Sequence, residues 1–270
     1  MDECRDFRGM SLSKSSNRAA TSLVLAFALG LGAVAQAQEQ DLSPVAITLG
    51  SNLGLGKGGG KAAPASALRF SRQAAVARQV NQRLAKNLAQ TMGQPDKAQN
   101  LQTLLDGGAL QAAMDETVTQ LGWRKDDLAD VLSASVLMGW QATQGQAAPR
   151  GANEAVRGGM QDILLRSGWL PQLDDAGKQT LADTVGTGLM LLLANLESAK
   201  PAERDQAKQA VRGMLRTTLG LDVAQLALTP QGLVAISPAS KTAQPAADKT
   251  GRAAACTCGS ESAQQARERP

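Results

Sequence analysis

Between residues 68 and 219 the apolar side chains recur at steps of three and four, the repeat that lines one face of an α-helix. Val76, Val80, Leu84, Leu88 and Met92 fall four apart, with Phe70 near the head of the stripe. They predict a helix that starts at Leu68 and is ended by Gly93 and Pro95. Arg72, Arg83 and Lys86 flank the stripe and make this helix basic. Asp96 is placed to cap a short second helix reaching Leu105, which Asp106-Gly107-Gly108 breaks. Leu110, Met114, Val118 and Leu121 predict a third, stopped by Gly122. A fourth opens at Lys125 or Asp126, turns Leu128, Val131, Leu132, Ser135 and Met138 inward, and runs to Gln144.

Residues 153–166 form the next stripe, with Val156, Met160, Ile163 and Leu164 inward and Gly168 as the stop. Asp174 and Asp175 begin the longest helix, which reaches Lys200. Its centre, residues 188–194, is apolar on all sides, which marks a buried central helix. That run is too short to span a membrane. Pro201 suits the first turn of a last helix through Val211, Met214, Leu215 and Leu219, closed by Gly220. Residues 221–236 alternate loosely around Thr229-Pro230-Gln231-Gly232 and predict an extended hook packed on the bundle. The fold expected is all-α: a single helical bundle of six or seven helices over residues 68–236, with a short extended C-terminal hook. Residues 38–67 are expected to be a flexible Gly-rich linker and residues 237–270 a disordered tail.

The first residues follow another pattern. Lys14 and Arg18 precede an apolar stretch over residues 19–35, and small residues recur at Ala33, Ala35 and Ala37. This predicts a secretory signal peptide within residues 1–37, cleaved after Ala35 or Ala37, and a protein of the periplasm or the medium. The apolar stretch is short for a hydrocarbon core of about 30 Å. No Cys stands at the cleavage site, which argues against a lipoprotein. Asp2, Glu3 and Asp6 do not fit a positive leader, so Met10 is the expected initiator.

Composition removes whole classes of chemistry. The chain has no His and no Tyr. Without imidazole, serine–histidine and cysteine–histidine hydrolases of the usual design are excluded. Three Phe and three Trp leave Leu, Val, Met and Ala to fill the core, which suits helices better than sheets. Charge is uneven: seven basic and two acidic residues lie in 38–95, against twelve basic and sixteen acidic in 96–230. A basic arm thus precedes an acidic core. Either the arm docks on its own core, or it attracts an anionic lipid, polysaccharide or protein partner.

Glycines at 54–60 before Lys61 suggest a phosphate loop, but Leu55 and Ala62 stand where Gly and Ser or Thr are needed. Cys256 and Cys258 lack the further ligands of a zinc site, and no cofactor or metal is expected. Carboxylates are the remaining catalytic candidates: Asp126, Asp127 and Asp130 cluster at one helix start, Asp174 and Asp175 at another. Helix N-termini favour acids through capping and the dipole, so their expected role is structural. All three tryptophans follow glycine, at Gly122-Trp123, Gly139-Trp140 and Gly168-Trp169. A Trp after a helix-ending Gly packs back over the helix end. Leu128-Ala129-Asp130 and Leu181-Ala182-Asp183 repeat a motif after the first and third, a faint sign of a duplicated hairpin.

Asp127-Leu128-Ala129-Asp130, a helix ending in Gly139-Trp140-Gln141, Leu219-Gly220-Leu221-Asp222 and the closing Gln231-Gly232-Leu233 occur in that order. In this the chain resembles uncharacterised exported α-helical domain-of-unknown-function proteins of proteobacteria. The resemblance implies an exported helical domain and brings no catalytic residues. The expected function is a non-enzymatic interaction or accessory protein of the cell envelope, with Arg72, Arg83 and Lys86 as partner-binding candidates. Two other readings stand beside it: a carboxylate-dependent envelope hydrolase and a carrier of a small apolar ligand. A nucleic-acid partner is not expected, nor a membrane-spanning segment after the leader.

Overall fold

A computed structural model describes residues 63–91 and 93–236. The proposed leader, most of the linker, Met92 and the tail lie outside the described residues. Seven α-helices follow in order: α1 (Ala74–Thr91), α2 (Ala98–Asp106), α3 (Ala109–Gln120), α4 (Leu128–Gln144), α5 (Ala152–Arg166), α6 (Asp175–Ser198) and α7 (Arg204–Leu219). Strands β1 (Leu226–Thr229) and β2 (Gly232–Ala235) pair antiparallel, with Leu226 opposite Ala235 and Thr229 opposite Gly232. The fold is all-α with a short extended C-terminal hook.

Helix α6 lies at the centre and packs against α1, α3, α4 and α7. Every residue from 181 to 192 is buried, which takes in most of the apolar run at 188–194, while Leu193 and Ala194 are half-buried. Helix α4 shares the centre, since every residue from 128 to 137 is also buried. Its inward serines gave little sign of that. Ser135 satisfies its hydroxyl by donating to Val131 O at 2.9 Å, so a small polar residue can sit in an apolar interior.

The first helix starts later than its apolar stripe suggests. Ala65–Leu68 is a 3-10 turn, the chain then runs extended, and α1 begins only at Ala74. Leu68 and Phe70 are buried while Arg69 and Ser71 are exposed, the alternation of an extended segment. Its amides bond to distant groups: Phe70 N donates to Asp126 O (3.0 Å), Ser71 N to Asp175 Oδ2 (2.9 Å), Gln73 N to Gln179 Oε1 (2.7 Å). Tertiary acceptors replace the bonds a helix would have made.

Other helix ends differ in the same local way. Pro95–Lys97 forms a 3-10 turn ahead of α2, and Asp96 makes no cap. Pro201–Glu203 is a turn, with α7 starting at Arg204. Ser167, not Gly168, ends α5, in an extended conformation. Gly122 does stop its helix in the left-handed region, at φ 78°, with Trp123 buried behind it. Gly139 and Trp140 instead lie within α4. Trp140 Nε1 reaches Leu226 O at 2.9 Å and Gln144 Nε2 reaches Val223 O at 3.1 Å, holding the hook to the end of α4.

Glycines within the helices mark where neighbours press closest. A Cβ on Gly139 would lie 2.5 Å from Leu215 Cδ1, and one on Gly188 3.0 Å from Met214 Cε. Leu215 is fully buried, so its side chain would have to shift within a packed interior. Gly139→Ala is therefore expected to cost about 1–3 kcal/mol, overriding the better helix propensity of alanine. Gly158→Ala, where a Cβ meets nothing within 4 Å, is expected to add about 0.5–1 kcal/mol. Urea denaturation of the two variants checks both signs.

Candidate functional site

The buried carboxylates gather in two knots, each built on one of the repeated Leu-Ala-Asp motifs. In the first, Asp127 precedes α4 with extended backbone and accepts from the amides of Ala129 (3.0 Å) and Asp130 (3.3 Å). This is the N-cap that acids at a helix start predict. Asp130, fully buried one turn on, accepts from Arg157 Nε at 2.6 Å and Nη2 at 3.1 Å, and from Arg124 N at 2.8 Å. Such a fork fits a carboxylate plane. The Arg157 guanidinium lies 5.6 Å from the centre of the Trp123 ring, whose Nε1 donates to Glu154 Oε1 at 2.8 Å.

The second knot fastens the extended segment before α1. Arg72 reaches Asp115 Oδ1 (2.9 Å) on α3, Asp183 Oδ1 (3.3 Å) on α6, and Lys125 O (2.7 Å) ahead of α4. Its guanidinium lies 5.8 Å from the Phe70 ring centre. Gln179 Nε2 donates to Asp183 Oδ2 (3.0 Å) and to Gln73 O (3.1 Å). Gln111 links Asp115 (2.9 Å) to the hydroxyl of Thr187 (3.0 Å). Arg69 pairs with Asp127 in a short antiparallel bridge, so the two knots share a border.

The two knots repeat one device, a buried Asp held by an Arg that lies over an aromatic ring. The helices around them do not repeat. Asp130 follows its N-cap by three residues, whereas Asp183 lies nine beyond Asp174, the N-cap of α6.

The electrostatics follow from burial. Desolvation, with the nearby Asp130 charge second, raises the Asp127 carboxyl above its ordinary value. Desolvation also raises Asp183, against the bond from Gln179 and the charge of Arg72. The Asp130 carboxylate raises the Arg157 guanidinium. The Ser71 amide lowers Asp175.

These contacts occupy the acids that the sequence offered for chemistry. Asp127 and Asp174 cap helices, Asp130 holds Arg157, and Asp175 accepts from Ser71. Asp126 takes Arg124 Nη2 at 2.7 Å. Among the described residues no group of three or more His, Cys, Asp or Glu is placed to hold a metal ion. Of the partner-binding candidates, Arg72 serves the internal knot, while Arg83 and Lys86 stand exposed on α1. Sequence reasoning missed both Asp–Arg pairs, which join residues 27 and 111 positions apart. The available signal was the repeated Leu-Ala-Asp, an acid within the apolar stripe each time.

Removing Arg157 strands a fully buried carboxylate. Arg157→Leu is expected to cost about 3–5 kcal/mol. Asp130→Asn leaves a partly exposed arginine and is expected to cost less, about 1–3 kcal/mol. Equal losses in urea melts would contradict the ranking. For pH the sign is set by the raised acids. Asp127 and Asp183 contribute stability that is fully present below 3.8 and lost as pH rises through their higher folded values. Asp175 acts oppositely, its contribution falling away in stronger acid. Lowering pH toward 3.8 is thus expected to strengthen the contribution of these two acids to the melting temperature, and Asp183→Asn to remove part of that pH dependence.

No curated protein and no solved structure matches the chain. No helix of the described residues is long and apolar enough to cross a membrane. The chain belongs to DUF6683, a family of unknown function, which it matches over residues 31–235.

Proposed function

We propose that this protein is exported and acts in the cell envelope as a non-enzymatic interaction protein, docking a partner through the outer face of α1. The observation that carries this reading is the fate of the acids: the clusters that could have served a hydrolase cap helices and hold ion pairs. Arg78, Arg83 and Lys86 are exposed on α1, while its apolar stripe of Val76, Val80, Leu84 and Leu88 is buried. The basic-then-apolar pattern at residues 14–38 supports export.

Two measurements test the proposal. N-terminal sequencing of protein recovered from the periplasm or medium is expected to read from Gln36 or Gln38; an unprocessed chain held in the cytoplasm would overturn export. In-cell crosslinking is expected to trap one reproducible partner, lost when Arg83→Glu and Lys86→Glu are combined. Retention of that partner by the double variant would remove α1 as the docking face.

A further inference from the structure

Helix α7 carries a row of cations that the fold leaves unanswered. Arg204, Lys208, Arg212 and Arg216 stand four residues apart, a step of about 6 Å along the axis and about 18 Å in all. Ala207, Val211, Met214, Leu215, Thr218 and Leu219 bury the core side of the helix. Arg204 and Arg216 are exposed, Lys208 and Arg212 half-buried. Among the described residues none of the four makes an ion pair. The buried Nε of Arg212 has no acceptor. Like charges four apart on a helix repel, and Arg204 stands at the positive end of the helix dipole.

Gly213 neighbours Arg216 on the helix surface and the exposed Gln209 neighbours Arg212, each at three residues' distance, while the exposed Asp205 stands three residues from Lys208. A Cβ on Gly213 would meet nothing within 4 Å, in contrast to Gly139 of α4. Glycine is a poor helix former, and no neighbour within the fold needs the room it leaves. A second backbone could approach there.

We propose that the C-terminal half of this face of α7 docks an acidic α-helix of another protein, its carboxylates opposite Arg212 and Arg216 and its backbone over Gly213. An α-helix with acids at every fourth position repeats at the same step of about 6 Å. Three of the four cations are Arg, whose planar fork matches a carboxylate. The row winds about 120° around the helix, so a straight partner faces its C-terminal half, where the exposed Gln209 offers a bilayer no apolar anchor. The inference rests on the reading of this protein as a partner-binding one and adds a surface apart from the outer face of α1.

The test titrates the full-length protein with a labelled synthetic helical peptide carrying Glu at every fourth position. A scrambled peptide of the same composition, phosphatidylglycerol vesicles and inorganic polyphosphate are the comparisons. Saturable binding to the in-register peptide is expected, weakened at least about tenfold when all four cations become Gln. Salt at about 0.5 M is expected to weaken it too. Circular dichroism verifies that the variant keeps its helices. Gly213→Leu supplies a separate check, since it fills open space: binding should fall while the melting temperature holds or rises. Equal binding by the scrambled peptide, by the Gln variant or by Gly213→Leu would overturn the inference, as would a preference for vesicles or polyphosphate. The Arg83→Glu, Lys86→Glu variant is expected to bind the peptide normally; loss of binding there would place acidic-partner recognition on α1 instead. Peptide binding at α7 without any crosslinked partner in cells would count against the α1 reading alone.

Discussion

Close approach between helices is the constraint from which the rest of this structure follows. With three Phe, three Trp and no Tyr, the core is filled by Leu, Val, Met and Ala. Aromatic rings cannot span wide gaps here, so the helices must lie near one another to reach interior packing density. Glycine stands where the pressure is highest, Gly139 against Leu215, Gly186 against Met114 and Gly188 against Met214. The result is a pair of central helices, α4 and α6, with long stretches closed to water on every side.

A helix enclosed in that way cannot carry a free charge. Asp130 and Asp183 lie on the two enclosed helices, and each has an arginine delivered to it from elsewhere in the chain. A carboxylate in an apolar interior is tolerated only with such a partner and further hydrogen bonds. The partners also carry positional information. Arg72 joins the segment before α1 to α3, α6 and the turn ahead of α4, while Phe70 and Leu68 bury beside it. Leu–Met packing is forgiving of small shifts, whereas a guanidinium reaching three acceptors is not.

The same arrangement redistributes charge between inside and outside. Residues 96–230 hold more acids than bases, yet Asp127, Asp130 and Asp183 are buried and Asp115 is largely covered. The cations of α1 and α7 keep their outward positions. The outer faces of α1 and α7 are therefore more basic than the sequence balance implies. Electrostatic steering acts on what is exposed rather than on the balance of the whole chain.

Sequence alone determined the parts of this protein that rest on neighbours three and four residues apart. The stripes of α1, α3, α4 and α7, the enclosed centre of α6, the caps by Asp127 and Asp174 and the extended hook were all legible in that way. Their physics is local, because hydrophobic periodicity and capping involve one or two helical turns. Tertiary structure alone decided the rest. Residues 69–73 are extended because acceptors on Asp126, Asp175 and Gln179 claim their amides. Arg72 faces inward because Asp115 and Asp183 wait there. Gly139 sits within α4 because Leu215 presses on it from α7. Each depends on a residue many positions away, and no local pattern records which distant group will arrive.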